Sequence, residues 1–358
     1  MHQNHLICCK TLVLLLSVLV GCRAEWSETA QTTSPVPLES LFVQLASVPL
    51  RPAETDPIGY AIDLAVSSRG AFIVDRQQAN IKYFSRDGKL IRTLGRAGNG
   101  PGEFRRPYGA ALLSNERLAV LDRGRGVISV WDSGGTWLGE WRVEGDAWDL
   151  DAAEGGNAIA VSGFLNVGDS VSGTLRRVRL RVHQPTGEIR NSFGTVPEPK
   201  HRYERIFGGM DLATVGAVLV SGQQFTNLIT YTDARTGREW THPIGGTWYK
   251  PIEFPPDDGR PFDQAGLQRL NEWSRQQLLM MRLIGFGDEL YLARFDTYDQ
   301  ERVRVRFYVL ADLQGRTRAI MGPSYVDFLA VRRDTLFGVT TDDDGNVSLK
   351  IMRPKRRL

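Results

Sequence analysis

The sequence predicts an all-β protein: a six-bladed β-propeller closed by an N-terminal strand and interrupted by one helical insertion. Three observations carry that expectation. First, a unit of short alternating strands separated by turn residues repeats at an offset of 47 residues, so that Asp75 meets Asp122, Arg76 meets Arg123 and Phe84 meets Trp131. Second, weaker copies of the unit follow to the end of the chain, six in all, and the last lacks an outer strand. Third, an unassigned strand-like segment, "LFVQLASVP" (41–49), stands ahead of the first unit and fits that gap. A ring closed in this way leaves no unpaired sheet edge at its seam.

Taken in order, residues 1–21 read as a processing signal. Lys10 precedes the apolar run "TLVLLLSVLVG", which is shorter than the ~20 residues that span a bilayer. The run ends in Leu19-Val20-Gly21-Cys22, which resembles a bacterial lipobox. That resemblance implies cleavage before Cys22, a lipid on its thiol and membrane attachment through it. Arg23, rather than an aspartate, follows Cys22. By resemblance to the sorting of Gram-negative lipoproteins this implies the outer membrane. The alternative is an ordinary secretory signal. Cys8, Cys9 and Cys22 are the only cysteines, so disulfides, cysteine-ligated metals and cysteine nucleophiles are excluded from the remainder. Residues 22–37, poor in apolar groups, read as a tether. The domain itself is expected over 38–358.

Charge is nearly balanced, with 44 basic and 41 acidic residues, which gives no expectation of a nucleic-acid partner. The basic tail "MRPKRRL" reads as a solvated terminus.

In the first two units "FIVDRQQANIKYFSRDGKLIRTLG" and "LAVLDRGRGVISVWDSGGTWLGEW" carry the strands, and "GRAGNGPGEFRRPYG" links them. Glycine and proline make that linker a poor helix and a poor strand, as suits a crossing from the outer strand of one blade to the inner strand of the next. Over about residues 59–142 the pattern resembles NHL repeats, which implies blades of a propeller. Later units lie at 157–194, 216–240, 288–322 and 334–354. In the third and fourth, Ser-Gly replaces the aspartate. A seventh blade would need strands within 246–277, where none reads as such.

That region, 246–281, is the insertion. A Pro/Gly-rich loop precedes a helix expected over 263–281, capped by Asp263, with Leu267, Leu270, Trp273 and Leu278 at helical spacing. It would cover apolar surface between blades or act as a lid over one mouth of the channel.

The inner strands begin alike. Tyr60, Tyr108, Trp148, Phe207 and Tyr325 open five of the six, an acid follows closely in four of these, and Met281 and Arg282 hold the remaining place. These six sites, with Arg282 as the sixth, form the expected ligand-binding ring around one opening. The competing reading makes the aromatics packing wedges between twisted sheets. Such a ring with inward carboxylates and arginines suits a sugar, a peptide or a partner's loop.

Catalytic signatures are sparse. After the signal the histidines are His183, His201 and His242, without paired-ligand spacing. "DDDGN" (342–346) reads as a polar hairpin turn rather than a Ca²⁺ loop, since no bidentate glutamate follows. "GRAGNGPGEF" lacks the Lys-Ser/Thr of a phosphate loop, and the Asp-Arg pairs at 75–76 and 122–123 suit turn-stabilising hydrogen bonds. The expectation is an exported, lipid-anchored binding module for an unknown protein, peptide or glycan, without cofactor, metal or catalytic residues. The alternative is a lactonase-like hydrolase or lyase working through Asp63, Asp151, Asp211 and Asp327 with a divalent metal.

Overall fold

The computed structural model describes residues 34–168, 175–196, 203–204, 208–255, 263–298 and 303–356. The signal, Cys22, most of the tether, His201 and Phe207 therefore lie outside the described residues.

A short helix α1 (Leu38–Leu41) leads into β1 (Phe42–Pro49). Blade 1 holds β2 (Ala61–Val66), β3 (Gly70–Asp75), β4 (Asn80–Ser85) and β5 (Leu90–Leu94); blade 2 holds β6 (Pro107–Leu112), β7 (Leu118–Asp122), β8 (Val127–Trp131) and β9 (Trp137–Arg142). Blade 3 comprises β10 (Gly145–Ala153), β11 (Ala158–Gly168), β12 (Leu175–His183) and β13 (Ile189–Thr195). In blade 4 are β14 (Met210–Val215), β15 (Val218–Gln223), β16 (Leu228–Asp233) and β17 (Glu239–Pro243). Blade 5 follows with β18 (Leu279–Phe286), β19 (Leu290–Tyr298), β20 (Arg304–Asp312) and β21 (Thr317–Ser324). Blade 6 adds β22 (Asp327–Arg332), β23 (Thr335–Thr341) and β24 (Val347–Pro354), and β1 completes it.

Each blade is a four-stranded antiparallel meander. The innermost strands pack in a ring, β2 on β6 and onward to β22, which packs back on β2. Closure is as the sequence predicts: β1 runs antiparallel to β24, from Phe42 opposite Pro354 to Pro49 opposite Ser348.

The core is divided among the six junctions between blades. Phe72, Val74, Ile81 and Trp131 fill the junction of blades 1 and 2. Leu121, Ile128, Ile159 and Leu165 fill the next, and Leu180, Val182, Leu212 and Leu219 the third. Tyr231, Tyr291 and Phe295 dominate the fourth, and Phe42, Phe286, Tyr308 and Phe328 the fifth. Ile73, Phe84, Leu329 and Leu349 close the ring between blades 6 and 1. Strand alternation explains the division, because the two faces of a central strand bury their side chains against two different neighbours.

The linker at 94–109 is the crossing between blades 1 and 2. Gly95 sits at φ 67°, and a Cβ there would meet the ring of Phe104 at 2.5 Å. Only glycine fits this position. Likewise, Asp342 Oδ1 accepts from the backbone N–H groups of Asp344 and Asn346, so "DDDGN" is the turn between β23 and β24.

The helix of the insertion is shorter than expected. α2 (Gln264–Arg275) is capped by Asp263, whose Oδ1 accepts from Gly266 N–H at 2.6 Å. It ends at Arg275, and β18 has begun by Leu279, where 263–281 was predicted helical. The physical reason is competition for the same residues. Blade 5 needs an inner strand, and Met280 N–H donates to Gln224 O of blade 4. The insertion therefore ends before Leu279. Trp273 packs with Tyr203 and Phe254, and Phe254 with Phe225, so the helix covers apolar surface. Arg275, at its end, lies 5.8 Å over the Tyr298 ring.

Candidate functional site

The repeated aspartate at the end of the second strand determines where each inner strand begins. Asp75 accepts from the N–H groups of Gly59, Tyr60, Gln77 and Gln78 at 2.7–3.1 Å. Asp122 accepts from Arg105, Arg106 and Gly124 at 2.8–2.9 Å. These carboxylates tie the incoming chain to the turn after the strand, as the sequence suggests for them. Arg76 and Arg123 follow these carboxylates, and their backbone N–H groups donate to Tyr60 O and Arg106 O on the incoming chain.

The inner strands are stapled across the channel wall by a second set of carboxylates. Asp63 accepts from its neighbour Leu64 N–H and from Ala110 N–H of the next blade. Asp149 spans in the same way from Leu150 to Leu212, and Asp151 from Ala152 to Thr214. Burial pushes Asp151 up to about 6, against the pull of those backbone donors. Asp327 is held by Arg294 Nη1 and by Arg306 Nη2. Of the four channel carboxylates considered for catalysis, Asp63, Asp151 and Asp327 are thus engaged in the fold.

Asp211 differs. Its side chain is 6% exposed, its Oδ2 is buried, and no hydrogen bond reaches it. Burial pushes it up to about 6, opposed by Arg282 and Arg294. Asp149 is raised well above the usual carboxylate range, first by burial and further by Asp211 and Asp63, with Arg282 opposing. Among the described residues no three acidic or histidine side chains are arranged to hold a metal ion.

The expected aromatic ring separates into two kinds of residue. Tyr60 is 42% and Tyr325 63% exposed, and both stand open at the mouth. Tyr108 and Trp148 have a different task. The guanidinium of Arg123 lies 4.8 Å over the Tyr108 ring and 3.7 Å over that of Trp148. Trp148 Nε1 donates to Asp146 at 3.1 Å, and Asp146 is 3.7 Å from Arg123. A Cβ on Gly209 would strike Trp148 at 2.5 Å, so the bare glycine gives the indole its seat. These two rings hold an arginine rather than offering a free face. The place of Phe207 is outside the described residues.

Arg282 is corrected too. It was expected on the rim, but it is buried, with Nη1 on Asp63 at 2.6 Å and Nη2 on Ile62 O at 3.0 Å. Its position on an inner strand takes it into the channel, where it neutralises the stapling carboxylates.

Blade 5 supplies residues that sequence reasoning missed. Asp296 pairs with Leu279 across β18 and β19 as Asp75 pairs with Ala61, so it is the blade-5 copy of the turn aspartate. Here it is released from the turn. Arg294 Nε lies 3.0 Å from it and Arg304 Nη1 3.9 Å, yet neither Asp296 oxygen receives a hydrogen bond. Arg304 also donates to the hydroxyls of Tyr298 and Tyr60, at 2.9 and 3.4 Å. The alternations "RFD" at 294–296 and "RVR" at 304–306 placed these charges on single strand faces, and that was the available signal.

A cavity of about 680 Å³ is lined by Asp63, Asp149, Asp151 and Arg282 and reaches Arg332 and Arg333.

Comparison with known proteins agrees with this architecture. Residues 29–157 match the family DUF5128, described as a 6-bladed beta-propeller. No curated protein matches the chain in sequence. Among solved structures, a Bacteroides fragilis protein taken to be exported is similar with a TM-score of 0.58 at 12% identity, over 90% of this chain and 98% of its own. A duf4221-family protein of Bacteroides vulgatus gives 0.58 at 8% identity, over 88% and 98%. A streptogramin B lyase gives 0.50 at 9% identity, over 88% and 99%. At these identities the likeness shows the fold alone. The protein is a six-bladed β-propeller.

Proposed function

We propose that this chain is an exported, lipid-anchored binding module that takes a ligand or a partner's loop at the mouth where its inner strands begin. One observation carries the reading. Two exposed tyrosines, Tyr60 and Tyr325, flank a mouth whose arginines are positioned by other side chains, Arg123 by two rings and Arg304 by two tyrosine hydroxyls. Holding arginines in place before a ligand arrives lowers the entropy lost on binding. The engagement of Asp63, Asp151 and Asp327 in the fold favours recognition over the metal-dependent hydrolase. Export and attachment through Cys22 are proposed from the N-terminal sequence; no described helix is long and apolar enough to cross a membrane.

The test is thermal unfolding with panels of glycans and peptides. A ligand at a hundredfold excess over its Kd stabilises the folded state by about 2.7 kcal/mol. We expect such a shift, lost in Tyr60→Ala and in Tyr325→Ala. A shift that survives both substitutions places binding elsewhere and overturns this reading.

A further inference from the structure

We infer that the propeller carries a second ligand site, separate from the mouth, in which a small aliphatic amine lies in the channel cavity with its ammonium group on Asp151. The site does not depend on the mouth being a binding site.

The inner strands fix its place. Tyr60, Tyr108, Trp148 and Tyr325 come early in their strands or ahead of them, and none lines the cavity of about 680 Å³. All six inner strands line it with later residues, from Asp63 onward in β2 to Arg332 at the end of β22. The volume falls within the range of small-molecule sites, about 300–1,000 Å³.

The wall sets the body of the ligand. Its apolar lining is leucine, isoleucine, valine and alanine, and no aromatic ring lines it among the described residues. Such a wall gains from burying an alkyl surface and offers no ring face for stacking.

The charge follows from which polar groups are already committed. Arg282 is held by Asp63 at 2.6 Å and by Ile62 O. Arg332 donates to Ser67 O at 2.7 Å and lies 3.6 Å from Glu116. Arg333 and Asp288 line the cavity as an exposed pair of opposite charge. Asp151 is only half-buried and meets neutral donors alone: Oδ1 accepts from Ala152 N–H and Oδ2 from Thr214 N–H, both at 2.7 Å. Asp149, two residues back on the same strand face, is likewise bound to the backbone N–H groups of Leu150 and Leu212. Neither aspartate has an ion pair among the described residues. A carboxylate oxygen that accepts one hydrogen bond keeps room for another, so Asp151 can staple two blades and still receive a ligand. An ammonium brings three donors and the missing positive charge, and its bond to a carboxylate is of the strong, charge-assisted kind. An anionic headgroup would instead meet two carboxylates.

The experiment is calorimetric titration of the full chain in detergent, read against detergent alone, with 1-adamantylamine, 1-adamantanol and 1-adamantanecarboxylate. These share one alkyl body and differ in headgroup. At pH 8 Asp151, near 6, is ionised, and an alkyl amine, like lysine, is protonated. The expected result is binding of the amine, with the alcohol at least tenfold weaker and the carboxylate weaker still. Asp151→Asn, which keeps one oxygen for the staple, should weaken the amine at least tenfold and leave the alcohol unchanged. Ala330→Phe, which fills the cavity, should weaken both at least tenfold, and Tyr60→Ala should change neither. Alcohol or carboxylate binding as tightly as the amine overturns the cation assignment. Amine affinity that survives Asp151→Asn or Ala330→Phe in a folded variant, or that is lost in Tyr60→Ala, overturns the site. Should neither cavity variant fold, the headgroup series and Tyr60→Ala decide. If no probe binds, the inference fails, while the mouth reading stands or falls on its own panel.

Discussion

A buried carboxylate without a donor is a local cost that the fold retains, and Asp211 is such a group. The charges of Arg282, Arg294 and Arg123 pull its value down and that of Asp296 pushes it up, and Asp211 in turn helps to keep the Tyr108 hydroxyl protonated and the Asp149 value raised. Its folded value, about 6, lies above the ordinary 3.8. Between those limits the native state therefore holds the proton more tightly than the unfolded chain does. Stability from this group is greatest below about pH 4, falls as pH rises through 6, and is constant above. At about 1.4 kcal/mol per pKa unit the loss is on the order of 3 kcal/mol. Asp211→Asn should consequently match wild type near pH 4 and exceed it above pH 6. Urea unfolding at a series of pH values checks this, and a constant difference across the series would contradict it. Asp151, also near 6, changes in the same sense but serves as an inter-blade staple, so only the Asp211 substitution isolates the effect without breaking a contact.

Single elements show why some features could be read from the sequence and others could not. The blades were legible because a strand meander leaves a local record: alternation, glycine at the turns and an aspartate at a fixed place. β1 was legible by subtraction, as a strand without a blade beside a blade without a strand. α2 was legible by its cap and its periodicity but not by its end, because Leu278 to Met281 satisfy helix and strand patterns alike. Only the contact of Met280 with blade 4 decides between them. The mouth was half legible. Tyr60 and Tyr325 are exposed just ahead of the inner strands β2 and β22, whereas Arg123 and Arg304 gain their positions from residues distant in sequence. Arg304 reaches Tyr60 across 244 residues. At this scale the closing strand gives a direct test. Phe42 is 1% exposed and meets Phe286 of blade 5 edge to face at 6.3 Å. Phe42→Ala should cost about 3–5 kcal/mol, read as a lower urea midpoint. A cost below about 1 kcal/mol would mean that the seam is held by its backbone ladder alone.

For the whole molecule, the six junction cores are joined through the ring, and each blade shares its apolar residues with two neighbours. No blade has a core of its own. The comparisons find a similar fold at identities of 8–12%. The proposed membrane attachment rests on residues ahead of β1, at Cys22. Cys22→Ser should move the protein from the membrane fraction to the soluble fraction with its unfolding midpoint unchanged. Retention in the membrane fraction after carbonate washing would argue against lipid attachment at that cysteine.

The pairing of β1 with β24 also bears on the order of synthesis. The strand that seals the ring is synthesised ahead of blades 1 to 5, and its partner, residues 347–354, after them. Blades 1 to 5 can assemble while β1 waits, but blade 6 cannot close until β24 has been made. A truncated product lacking β24 would carry β1 as a bare strand edge, ready to pair with another chain or to be cut by a protease. The seam thus distinguishes a polypeptide that has reached β24 from one that has not.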